Sequence, residues 1–121
     1  RIHRQFVLLW SEYSPSLVVS FVPFLNALLR KSLLSTCHGT QLVTVVTDLA
    51  NSDAHRWIDP WDEAGKIHSI VAGSETLERQ ATALGYQGHI LRTSGMVVHP
   101  AFYDNVSAEA SNQISDKGGL T

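Results

Sequence analysis

Apolar side chains recur at Ile2, Phe6, Leu9, Trp10 and Tyr13. Their spacing puts them on one stripe of an amphipathic helix, which Pro15 closes. The next run, Leu17-Val18-Val19-Ser20-Phe21-Val22, is short, β-branched and almost wholly apolar. It predicts a strand buried on both faces, as in a parallel sheet. Pro23 suits the first turn of a following helix in which Leu25, Leu28, Leu29 and Leu33 share a face. Arg30 and Lys31 fall near its end, where cations complement the helix dipole. His38-Gly39-Thr40 breaks the pattern, and Leu42 to Thr47 predicts a second buried strand that delivers Asp48 at its carboxyl end.

Residues 50–66 show no period and mix Asn, Asp, Pro and Gly with Trp57 and Trp61, the composition of a long loop. His68 to Ala72 predicts a third strand, ended by Gly73. Ser74 is the expected N-cap of a helix with Leu77, Ala81 and Leu84 on one face and Gly85 as its stop. Glu75 and Arg79 stand four apart, in the favourable order for a pair. His89 to Thr93 predicts a fourth strand, left at Gly95. Strands alternating with helices imply right-handed crossovers and a mainly parallel α/β sheet. Ligands of such sheets collect beyond the carboxyl ends of the strands, here Pro23–Asn26, Asp48–Trp61, Gly73–Glu75 and Gly95–Phe102. The domain is expected over residues 1–104. From Asn105 to residue 121 the chain turns rich in Ser, Ala, Asn and Gly, without aromatics, and reads as a mobile or foreign tail.

A length of 121 residues suits one small domain, and 44% hydrophobic content excludes a disordered chain. Nine Lys+Arg against eleven Asp+Glu leave a net charge of −2 with no basic cluster, which argues against a nucleic-acid partner. The single cysteine, Cys37, excludes an internal disulfide framework. Six histidines stand at 3, 38, 55, 68, 89 and 99, none at close metal-ligand spacing, so no metal is expected. No glycine-rich nucleotide signature is present, and no cofactor is expected. No apolar run reaches the ~20 residues of a membrane span. The chain starts at Arg1 and its one methionine is Met96, so earlier residues are expected to have been removed by processing or truncation.

Three constellations carry chemistry. A carboxylate at Asp48 with an imidazole at His55 in the same loop would make a base and its orienter, or else a turn cap and a surface histidine. Trp57 and Trp61 would form a platform for a sugar or a lipid anchor, or would pin the loop to the body. Gly73-Ser74 at a helix start would hold one anion on backbone amides, or simply cap the helix.

Three ordered segments resemble one family. Pro15-Ser16-Leu17-Val18-Val19-Ser20-Phe21-Val22-Pro23-Phe24-Leu25-Asn26 is similar to its "P-D-x-V-V-S-x-x-P-x-x-N" strand and turn. Val45-Val46-Thr47-Asp48-Leu49-Ala50 with His55-Arg56-Trp57-Ile58 is similar to its "T-D-x-A … H-x-W-I" loop. Ile70-Val71-Ala72-Gly73-Ser74, Gln80-Ala81, Leu84-Gly85 and Arg92 to Tyr103 are similar to its "I-x-x-G-T … Q-A … L-G … R-x-S-G-M-x-x-x-P-x-F-Y" ending. The family is that of the diacylglycerol glycosyltransferases related to monogalactosyldiacylglycerol synthase, and the match runs from Pro15 to Tyr103.

The resemblance implies a Rossmann-like acceptor-side domain, part of the N-terminal half of a two-lobed (GT-B) glycosyltransferase. It implies inverting transfer of a hexose from a UDP-sugar to diacylglycerol at a membrane surface, with the protein associated peripherally and the donor held by a C-terminal lobe this sequence lacks. A chain without that lobe is expected to be inactive. Asp48 and His55 become base and orienter. Asn26, Trp57, Trp61 and Glu75 line the acceptor side, and Phe21, Phe24 and Trp61 become membrane contacts, with core packing as the other reading of the two phenylalanines. Ser16 departs from the family's Asp, Asn51 to Ala54 replace a more aromatic approach to His55, and the pattern ends at Tyr103. Two other classes compete. A receiver-type phosphoacceptor domain needs an acidic pair after its first strand, and Glu12 is the only acid before Asp48. A non-catalytic α/β domain would use the Asp48 loop to bind a partner protein.

Overall fold

A computed structural model of the chain describes residues 1–48, 57–62, 66–96 and 99–101. The elements run α1 (Ile2–Tyr13), β1 (Leu17–Ser20), α2 (Asn26–Thr36), β2 (Gln41–Val45), β3 (His68–Ala72), α3 (Glu75–Ala83) and β4 (Ile90–Arg92). The four strands form one sheet in the order β1-β2-β3-β4, and every pairing is parallel. The alternation of helix and strand read from the sequence is therefore the architecture of an α/β sheet. Strand order follows chain order throughout, so the described strands contain no reversal of the kind that opens a ligand crevice inside a doubly wound sheet.

Parallel register fixes which side chains share a face. Leu42 pairs with His68, Thr44 with Ile70, and Ile70 with Ile90. Leu42, Thr44, His68, Ile70 and Ala72 are all buried on the side that carries the helices. There the core divides in two. Leu42 packs with Trp10, Leu29 and Leu33 from α1 and α2. Ile70 and Ala72 pack with Leu77 and Ala81 of α3, and with Val46, Trp57, Ile58 and Tyr86. Each leucine, isoleucine or valine among them contributes about 1.5–3 kcal/mol when fully removed from water.

Several local expectations hold. Ser14, in left-handed conformation (φ 43°), ends α1 just before Pro15. Ser74 Oγ accepts from Leu77 N at 3.2 Å, as an N-cap should. Gly85 takes φ 100°, and a Cβ there would lie 2.6 Å from Trp61 Cβ, so both conformation and space demand glycine.

Others are corrected. The run Leu17–Val22 does not form a strand buried on both faces; β1 stops at Ser20 and lies at the sheet's edge, leaving Leu17 and Val19 exposed. Pro23 does not open α2, which starts at Asn26 after a turn in which Phe24 adopts φ 66°. The α1 stripe is only partly covered: Phe6 stacks on buried Trp10 with centroids 5.6 Å apart, while Ile2, Leu9 and Tyr13 face solvent. That follows from α1 packing on α2 rather than across the sheet. Arg30 does not serve the dipole at the surface but is buried, 2% exposed. In α3 it is Glu78 that forms a described ion pair, with Arg92 rather than with a residue of its own helix. The expected tail, residues 105–121, lies outside the described residues.

Candidate functional site

The carboxyl ends of all four strands emerge on one rim, and the turns that leave them carry most of the residues singled out above. After β1, Phe21, Val22 and Phe24 project into solvent. The first residue of α2, Asn26, turns inward and is 2% exposed. Its Nδ2 donates to Val22 O at 3.2 Å and to Trp57 O at 2.7 Å, so one amide ties the β1–α2 turn to the segment 57–62. The buried Oδ1 of Asn26 has no hydrogen-bond partner among the described residues.

Asp48 stands three residues beyond the end of β2 and is exposed. A carboxylate there is placed by the strand itself: the last ladder residue fixes direction and the short exit carries the acid onto the rim. His55 lies outside the described residues, and so does the geometry of the Asp48–His55 pair. After β3, Gly73 and Ser74 lead into α3, whose first residue, Glu75, is exposed. After β4, Thr93 N bonds Ala72 O at 3.2 Å and Thr93 Oγ1 donates to Gly95 O at 2.7 Å. These two exits enclose a cleft of about 450 Å³ lined by Gly73, Ser74, Glu75, Glu78, Arg92 and Ser94, among others. A Cβ on Gly73 would sit 2.6 Å from Met96 Sδ and 3.1 Å from Gly95 O, so this glycine lets the two exits approach. Glu75 and the ion pair of Glu78 with Arg92 line this cleft beside the first turn of α3.

The two tryptophans do not sit together on this rim. Trp57, 8% exposed, is part of the core beside Val46 and Ile58. Trp61 lies toward the opposite, amino-terminal rim. Its N bonds Leu84 O at 2.7 Å, and its ring meets Tyr86 edge-on at 5.2 Å and His89 at 4.6 Å. Of the two roles left open by the sequence, pinning the loop to the body is the one their packing performs. Among the expected site residues the structure thus joins Asn26 to Trp57 directly, brings Asp48 and Glu75 to the same rim, and sets Trp61 away from it.

A buried polar network went unread in the sequence. Arg30 Nη1 donates to Tyr86 Oη at 3.0 Å, and Nη2 reaches Asp62 Oδ2 at 3.3 Å. Beside it, His68 Nε2 and Thr44 Oγ1 share a hydrogen bond of 2.8 Å, and the His68 ring meets Tyr86 edge-on at 5.6 Å. Burial, then the positive charge of Arg30 and of His89, lowers the His68 pKa to about 4, so the imidazole is neutral at pH 7. Burial also raises the Tyr86 phenol, against the pull of Arg30. His68 begins β3 and so belongs to the rim away from Asp48, and the network ties the segment 57–62 to α2 through Arg30 and Asp62.

Among the described residues no three His, Cys, Asp or Glu side chains gather as metal ligands, and no helix is long and apolar enough to cross a membrane. No protein-family model, no curated protein and no solved structure matches the chain.

Proposed function

We propose that this chain is the acceptor side of an inverting glycosyltransferase that moves a hexose from a UDP-sugar to the free hydroxyl of diacylglycerol. The observation that carries the reading is the ordered resemblance from Pro15 to Tyr103, whose motif residue Asp48 falls on the carboxyl-end rim of a parallel sheet. Direct displacement at an anomeric carbon needs a base on the attacking hydroxyl and stabilisation of an oxocarbenium-like centre. Asp48, held on the rim by β2, is the base in this reading, and His55 orients it. Glu75 borders the neighbouring cleft. Asn26 acts one step back, through the turn it ties down, and Trp57 is its partner in that tie.

The UDP-sugar would be held by a second lobe facing the rim, and closure of the two lobes would exclude water. Association with a membrane surface is part of the same reading and is supported by the β1–α2 turn. It exposes Phe21, Val22 and Phe24 and holds Phe24 in a left-handed conformation, φ 66°. Conformations of that kind cost about 1–3 kcal/mol and gather at binding sites.

The test is transfer from UDP-galactose and UDP-glucose to diacylglycerol vesicles by the complete enzyme in which this sequence is joined to its donor lobe. Asp48→Asn, in a variant shown to be folded by circular dichroism, should lower turnover by about 10²–10⁴-fold, the usual contribution of a general base. Near-normal turnover removes Asp48 from the mechanism. A folded enzyme that transfers neither sugar removes the reaction.

A further inference from the structure

We draw no further inference here: the strongest candidate, the apolar face of the sheet turned away from the helices, with Leu17, Val19, Val43, Val71 and Leu91 along it, carries nothing because nothing in the structure shows what covers it.

Discussion

Acidifying the solution from pH 7 to pH 5 should weaken the fold through His68, and the size of the loss follows from its surroundings. The imidazole is 1% exposed, and this burial, followed by the nearby Arg30 and His89, holds its pKa at about 4; its Nε2 shares a hydrogen bond with Thr44. In the unfolded chain an ordinary histidine takes up its proton near pH 6.5. The folded-state value is depressed, so between pH 6.5 and pH 4 the unfolded chain binds more protons than the folded one. Stability is therefore complete above pH 6.5, falls as the pH drops through that window, and levels off below pH 4. Linkage over these two values gives a loss of about 2 kcal/mol by pH 5 and about 3 kcal/mol at the plateau. Other groups also titrate there, so the assay compares two proteins: urea unfolding followed by tryptophan fluorescence at pH 7 and pH 5, for the native chain and for His68→Gln. Glutamine keeps an amide near Thr44 but cannot be protonated. The native chain should lose about 2 kcal/mol more than the variant over that interval. Equal losses, or an NMR titration of His68 near pH 6.5, would refute the reasoning.

Three further outcomes are expected. Gly85→Ala should cost about 3 kcal/mol, since alanine meets both a positive φ and Trp61 Cβ; the measurement is a fall of roughly 10 °C in Tm. Phe24→Gly should raise stability by about 0.5–1 kcal/mol in chemical denaturation, because an exposed phenylalanine contributes little packing and glycine accepts φ 66° freely. The same variant should bind diacylglycerol vesicles more weakly in a flotation assay if the turn meets lipid. Asn26→Ala should cost about 2 kcal/mol by leaving Trp57 O and Val22 O without their donor. It should also shift the tryptophan emission to the red as the segment 57–62 loosens.

Features encoded over a few residues were legible. The Ser74 cap, the Gly85 stop and the third strand each rest on chemistry within one turn or one alternation, and each appears where expected. Position within the sheet was not legible. The valines of β1 look the same in sequence whether a strand is central or at an edge, and only the pairing order distinguishes them. Arg30 was misread because its partners, Asp62 and Tyr86, come from 32 and 56 residues away. A charged side chain near a helix end looks solvent-bound until such partners arrive. The same distance hides the His68–Tyr86 contact. At the candidate site, strand exits brought Asp48 and Glu75 to a common rim as the α/β pattern implied. The separation of Trp57 from Trp61 followed from packing between α2 and α3, for which no periodic signal exists.

The strictly sequential sheet has a mechanical consequence. A pull on its two ends would load the three ladders in series, since each strand touches only its predecessor and successor. The β3–β4 ladder joins three residue pairs, whereas β1–β2 and β2–β3 join four each. Tension would therefore peel β4 away first, and the cleft between Gly73 and Gly95, which spans that seam, would be the first feature lost.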